Sequence, residues 1–488
     1  MPALMFQGTG SDVGKSLVVA GLCRALVNRG LSVKPFKPQN MSNNAAVVPG
    51  GGEIGRAQAL QAKACRILPH IDMNPVLLKP QSDVGAQLVV MGLVEGNYPA
   101  KEYQLKKIDL LNIVTDAAYR LKKTTDILLI EGAGSAAEVN LRNNDIANMG
   151  FAVATQTPVV LVADIDRGGV IASVVGTWEL LPKEERRLIS GYIINKFRGD
   201  EDLFKSGIEV IKKKTGLSCF GVIPFVPEAA KLPQEDAHSL ENVLREESNG
   251  RINIVVPKLA HISNYDDFDP LIAEPDVNLQ FISRGDALPG DADLIILPGS
   301  KTTTSDLMDL KNQGWDIDIK AHLRRGGSVY GICAGYQMLG NWINDPDKVE
   351  GEIASIEGLG LLNVNTEMGG NKTLVEVSVA SCLGFGEFQG YEMHIGDTSG
   401  PDCERPFGKV GSENIGAVSL DGKVSGCYLH GLFSNDLFRQ ALLSSIKNRE
   451  LSGVSYELQV EEALDAVSLV FEESLDIDRI LASARAFQ

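Results

Sequence analysis

The sequence predicts an α/β protein of two units: a phosphate-loop domain built on a doubly wound parallel sheet, then a second, flavodoxin-like α/β domain. Three observations predict it. Short apolar runs alternate with helical patterns through residues 1–230. The first run leads into Gly8-Thr9-Gly10-Ser11-Asp12-Val13-Gly14-Lys15-Ser16 and then into a helical segment. A second α/β rhythm starts near residue 252 and carries Gly331-Ile332-Cys333-Ala334-Gly335 at a strand-to-helix junction.

Along the chain, strands are expected at 2–7, 31–36, 126–130, 158–163, 190–195 and 220–223, each a short apolar run between helix-spaced segments. The stretch 231–250 contains Leu232-Pro233-Gln234-Glu235-Asp236 and Glu246-Glu247-Ser248-Asn249-Gly250, lacks a sustained apolar period, and reads as a linker. Strands follow at 252–256, 278–282, 293–297 and 328–332, then a Gly-rich region. Residues 439–448 and 460–486 space Leu, Val, Ile and Phe as helices do, with a break around Gly453. The expected organisation is a phosphate-loop domain over 1–230, the linker over 231–250, a second reaction domain over 251–445 and C-terminal helices over 446–488.

Composition excludes several classes. A chain of 488 residues has room for about two to four domains. Its 44% hydrophobic and 22% charged residues are ordinary for soluble globular protein, which rules out global disorder. A formal charge of −17 disfavours a nucleic-acid surface, because phosphate backbones are met by clustered Lys and Arg. The seven cysteines form no CxxC pair, which disfavours a disulfide framework or a zinc cluster and fits reduced thiols. No apolar run approaches the roughly 18–20 residues of a membrane span, and the N-terminus enters a strand and not a signal peptide. A cytoplasmic protein with no nucleic-acid or membrane partner is expected; the sequence leaves the oligomeric state open.

In the phosphate loop, successive backbone N–H groups and a helix N-terminus can face phosphate oxygens. Gly8, Gly10 and Gly14 permit close backbone approach, Thr9 lies within the loop, Lys15 is placed to reach the β- and γ-phosphates, and Ser16 to bind Mg²⁺. Five residues separate Gly8 from Gly14, whereas the usual loop has four, so as a bare pattern the match is imperfect. Glu131 ends the strand expected at 126–130, the place for a second magnesium contact. Lys37, between Pro35 and Pro38 at the end of the second strand, brings a cation to the same sheet edge.

At the second centre, Cys333 sits at a sharp turn flanked by small residues, and a helix N-terminus favours the thiolate. Thiol chemistry needs a base distant in sequence. His430, in Tyr428-Leu429-His430-Gly431-Leu432-Phe433, is the candidate, and His394 the competitor. Leu297-Pro298-Gly299-Ser300 ends another strand, so the N–H groups of Gly299 and Ala334 are candidates for an oxyanion hole.

Further segments carry a resemblance more specific than either motif. Phe36-Lys37-Pro38-Gln39-Asn40-Met41-Ser42-Asn43, Gly51-Gly52-Glu53-Ile54-Gly55-Arg56-Ala57-Gln58, Asn140 to Met149, Ala163-Asp164-Ile165-Asp166-Arg167-Gly168-Gly169 and Asn195-Lys196-Phe197-Arg198-Gly199-Asp200 resemble the cobyric acid synthases, glutamine-dependent amidotransferases of cobalamin biosynthesis. The N-terminal part is similar to dethiobiotin synthetase, whose family uses the same longer phosphate loop. The C-terminal part resembles the class I, or triad, glutamine amidotransferases. This resemblance implies that Cys333 takes ammonia from glutamine with His430 moving protons. It further implies that ATP and Mg²⁺ activate carboxylates of a corrinoid as acyl phosphates, with adenosylcobyrinic acid a,c-diamide amidated at its b, d, e and g carboxylates. Lys15 and Lys37 would then stabilise phosphate, and Ser16 and Glu131 would hold magnesium. Glu53 and Asp145 are candidates for metal binding or substrate orientation, with helix capping as the alternative. Arg142 and Arg167, with Lys196 and Arg198, would form a positive patch for a polyanionic substrate.

One position departs from most triad amidotransferases, which carry Glu two residues after the catalytic His. Here it is Leu432, so the group orienting His430 is not identified. Two other readings stay open: the sister a,c-diamide synthase, which uses the same chemistries, and a non-catalytic P-loop ATPase switch with a degenerate second domain.

Overall fold

Six parallel strands form the first sheet, in the order Cys219–Pro224, Ile189–Phe197, Val159–Asp164, Ala3–Gly8, Ile127–Ser135, Val33–Phe36. They are the six runs expected from the sequence. The chain is described here from a computed structural model covering residues 2–82, 85–233, 252–350, 352–370 and 372–485. Side chains alternate between faces: Leu4 and Phe6 join one apolar cluster, while Ala3 and Met5 join another on the opposite side. Burial on both faces explains why these strands read as continuous apolar runs. The strand expected at 126–130 continues to Ser135 and carries Glu131 to the loop end of the sheet.

The second sheet places Val277–Ile282, Ile252–Pro257, Leu294–Leu297, Ser328–Ile332 and Val424–Cys427 in parallel, with Ala417–Val418 antiparallel at its edge. Most of the linker expected over 231–250 lies outside the described residues.

Two features went beyond the sequence reading. An antiparallel sheet of Glu413–Ile415, Gly408–Val410, Thr373–Ser381, Glu387–His394 and Leu429–His430 brings Tyr391 opposite His430. Its Met393 packs with Ala45, Val47, Leu77 and Val89, which joins the two halves of the chain. The C-terminal helices also return to the first sheet. Tyr456–Ser474 lies against Lys15–Asn28, the helix after the phosphate loop, where Val460, Leu464, Val467 and Phe471 share a cluster with Val18, Leu22 and Leu26. Arg24, fully buried, holds Glu461 at 2.6 Å and Asp465 at 2.9 Å across that contact. No described helix is long and apolar enough to cross a membrane.

Candidate functional site

The phosphate loop closes on itself and on neighbouring strands. Thr9 N–H donates to Val162 at 2.9 Å, Lys15 Nζ to the Gly10 carbonyl at 3.3 Å, and Asn195 Nδ2 to the Val13 carbonyl at 2.9 Å. Gly14 has φ 89°, and a side chain there would run into Asn195, so glycine is required on both counts. Around the loop the structure gathers Ser16, Lys37 and Glu131. Glu131 Oε1 accepts from Ser16 Oγ at 2.9 Å and from Lys37 Nζ at 2.8 Å, while Gln61 Nε2 donates to Oε2 at 2.5 Å. The hydroxyl of Ser16 and the carboxylate of Glu131 are hard oxygen donors at the mouth of a phosphate loop, and Gln61 Oε1 is buried without a partner among the described residues. That donor set fits Mg²⁺.

The loop opens into a cleft of about 890 Å³ lined by Lys15, Ser16, Lys37, Glu131, Arg142 and Arg167, among others. Arg167 is 64% exposed at its side chain and lies 3.4 Å from Asp12. Arg142 is tied to Asp145 at 3.3 Å and Glu185 at 2.7 Å. Asp145 accepts from the N–H groups of Ala147, Asn148 and Gly150 at 2.8, 3.0 and 2.9 Å, which is the capping geometry raised as its alternative role.

Cys333 follows the strand Ser328–Ile332 and has φ 52°, ψ −112°, a strained backbone for a side chain with a Cβ. Gly335 makes the turn possible, because a Cβ there would overlap the Leu297 carbonyl. The helix that follows, Ala334–Leu339, is only 6 residues long, so its dipole contributes less than the sequence reading assumed. Cys333 Sγ donates to the Met393 carbonyl at 3.5 Å. A small pocket collects Cys333, Ala334, Ser300, His394 and His430. Gly299 borders it: an added Cβ would stand 3.4 Å from Cε1 of His430.

The group that orients His430 is Asp267. Its Oδ2 lies 2.7 Å from Nδ1 of His430, and its Oδ1 accepts the Gly431 N–H at 2.7 Å. Burial pulls the imidazole pKa down, but the charge and hydrogen bond of Asp267 outweigh it and lift the value to about 10. Leu432 is buried in the core, so a carboxylate two residues past the histidine is replaced by one from the turn Tyr265–Phe268. His394 instead stacks on Tyr428 at 3.6 Å and bonds the Gly396 carbonyl. The sequence reading missed Asp267 and Gln61. For Asp267 the available signal was two adjacent carboxylates, Asp266-Asp267, between residues that bury their aromatic rings, Tyr265 and Phe268.

Glu53 corrects an expectation. Both of its oxygens are held by ammonium groups, Lys79 on Oε2 and Lys372 on Oε1, which keeps its pKa at about 2 and leaves no oxygen for a divalent cation. It joins the two halves of the chain, as does Arg56, whose guanidinium pairs with Asp266 beside Asp267. Asn44 Oδ1 accepts the Tyr265 N–H at 3.2 Å in the same contact.

A phosphate loop and a cysteine–histidine–aspartate set on two joined α/β sheets define a nucleotide-dependent glutamine amidotransferase. Two family models divide the chain in the same way: a CobQ/CobB/MinD/ParA nucleotide binding domain matches residues 4–240, and a CobB/CobQ-like glutamine amidotransferase domain matches residues 253–438. Cobyric acid synthases from Rhizobium rhizogenes and a Jannaschia species are each 54% identical to it, covering 97% and 98% of this chain and 98% of their own lengths. Another, from Allorhizobium ampelinum, is 55% identical over 97% of both chains. The chain belongs to the cobyric acid synthase family and is an enzyme that uses glutamine as amido donor.

Proposed function

We propose that this enzyme amidates the b, d, e and g carboxylates of adenosylcobyrinic acid a,c-diamide, using ATP to form acyl phosphates and ammonia released from glutamine at Cys333. The observation that carries the reading is the separate convergence of Lys15, Ser16, Lys37 and Glu131 at one pocket and of Cys333, His430 and Asp267 at another.

At the second pocket the Cys333 sulfur attacks the glutamine amide carbon. Charge on the carbonyl oxygen falls to backbone donors near Gly299 and Ala334. His430 hands a proton to the departing ammonia, and water then cleaves the thioester with the imidazole as base, which releases glutamate. Asp267 keeps Nδ1 protonated, because a carboxylate only accepts, so Nε2 is the nitrogen that exchanges protons.

At the first pocket Lys15 and Lys37 offset charge on the phosphoryl group passing from ATP to a substrate carboxylate. Ser16 and Glu131 would hold Mg²⁺, which when bound supplies the charge that draws the phosphate oxygens together. Ammonia displaces phosphate from the acyl phosphate, giving the amide, ADP and phosphate. Arg167, exposed at the cleft, contacts substrate carboxylates.

The test is to incubate the protein with ATP, Mg²⁺, glutamine and adenosylcobyrinic acid a,c-diamide and follow the corrinoid by mass spectrometry, beside Cys333→Ala. Four successive amidations, lost in the variant with glutamine and retained with ammonia, are expected. An unmodified corrinoid with continued ATP and glutamine hydrolysis would overturn the substrate assignment and favour cobyrinic acid.

A further inference from the structure

The pocket holding Cys333 and His430 carries more charge than thiol chemistry uses. Lys79, Lys301, Lys372 and Glu350 also line it. Two of these cations are already engaged, since Lys79 and Lys372 both pair with Glu53. Lys301 is in a different position. The residue is 7% exposed, and its ammonium has no hydrogen-bond or ion-pair partner among the described residues. Its backbone is fixed, with its N–H on the His261 carbonyl at 2.9 Å, directly after the short strand Gly299–Ser300. Burial lowers its pKa, against the pull of Glu350.

Glu350 is the complementary group. One oxygen, Oε2, accepts from the Thr303 N–H at 3.0 Å and the Thr303 hydroxyl at 2.7 Å, which fixes the side chain and leaves Oε1. Lys301 and Glu350 influence each other electrostatically yet do not close into an ion pair. A nearly buried ammonium without an anion is unfavourable, and a ligand that supplies the anion relieves it. Beside a nucleophile for a side-chain amide, the ligand that presents an anion and a cation on adjacent atoms is a free α-amino acid.

We propose that Lys301 and Glu350 are the specificity residues for the α-carboxylate and α-ammonium of glutamine, holding it so that its amide meets Cys333. This rests on the reading of Cys333 as the glutamine-hydrolysing centre. The subsite selects free glutamine over amides that lack either charge.

The experiment compares hydrolysis of glutamine, glutaramate (no ammonium) and 4-aminobutanamide (no carboxylate) by the whole enzyme. Each analogue is expected to fall roughly 10²–10⁴-fold in kcat/KM, since a polar subsite rejects a ligand lacking its partner group. Lys301→Met should raise the KM for glutamine by roughly 10²-fold or more and the KM for 4-aminobutanamide far less; Glu350→Gln should do the same with glutaramate as the less affected substrate. Iodoacetamide, which needs no amino-acid end, should still label Cys333 in both variants and so reports an accessible thiol, its rate in Lys301→Met shifting only because that ammonium acts on the sulfur. Wild-type enzyme that accepts all three amides equally overturns the proposal even if neither variant folds. So does an unchanged glutamine KM in Lys301→Met. Glutamine hydrolysis surviving in Cys333→Ala would instead remove the underlying centre, a separable result.

Discussion

Asp267 Oδ2 lies 2.7 Å from Nδ1 of His430, although 163 residues separate the two in the chain. Both are almost fully buried, at 4% and 2% side-chain exposure. The turn bearing Asp267 is fastened from the first half of the chain by Arg56 and Asn44, so the geometry of the thiol site depends on both halves.

Replacing Asp267 with Asn should lower glutamine hydrolysis by roughly 10²–10⁴-fold, because an amide can hold the wrong tautomer of His430. The pH profile carries a second signature. With the imidazole lifted to about 10, the alkaline limb of kcat/KM is expected near that value in the wild type and displaced downward in the variant. Stability follows the same group. The folded pKa stands above the ordinary value of about 6.5, so the pair's contribution is complete below about 6.5 and is lost as pH rises toward 10. Unfolding midpoints of the two proteins should therefore differ most at acid to neutral pH and converge above 10.

Lys15→Ala should separate the two reactions in the opposite sense. Removing the phosphate-loop ammonium costs roughly 10²–10³-fold in corrinoid amidation with either glutamine or ammonia, because the transferring phosphate loses its cation. Glutamine hydrolysis, measured as glutamate release, should persist. Loss of both reactions to the same extent would place Lys15 in the fold and not in phosphate chemistry.

What was legible in the sequence is what is local. Six strands of the first sheet, the Gly-Lys-Ser loop and the strand–Cys333–helix turn each announce themselves within a dozen residues through apolar runs, glycines and their order. Ser16, Lys37 and Glu131 were placed together because each ends a strand or opens a helix at one sheet edge. Glu53 was misjudged because its partners, Lys79 and Lys372, stand 26 and 319 residues away, and only the fold brings ammonium groups to both oxygens. Asp267 was invisible for a related reason: it lies on a short 3₁₀ turn, Tyr265–Phe268, with no period to mark its face.

Arg56→Ala should uncouple the halves. The side chain of Asp266 is 1% exposed, and burial already raises its pKa against the pull of Arg56. Without the guanidinium the carboxylate is left buried and unpaired, at a cost of about 3–5 kcal/mol when one partner of such a pair is removed. Glutamine hydrolysis should fall because Asp266 adjoins Asp267, while ammonia-driven amidation should be less affected. The double variant Arg56→Ala with Asp266→Asn should recover part of the lost stability in urea unfolding. A double variant no more stable than Arg56→Ala alone would deny the pair its role.

The C-terminal helices pack closely on the helix that follows the phosphate loop. A Cβ at Gly21 would overlap the ring of Phe471 and approach Val467, so glycine is what lets Tyr456–Ser474 lie close against Lys15–Asn28. Gly21→Val should therefore destabilise by about 1–3 kcal/mol through overpacking, and Phe471→Ala by about 3–5 kcal/mol through the cavity it leaves. The helix being moved begins at the phosphate loop, so the same substitutions should weaken nucleotide binding, read by titration of ATP, with iodoacetamide labelling of Cys333 unchanged. Combining Gly21→Val with Phe471→Leu should restore part of both losses, because the smaller side chain makes room for the larger one. Equal loss of Cys333 labelling in the single variants would show that these helices support the whole chain and not the first sheet in particular.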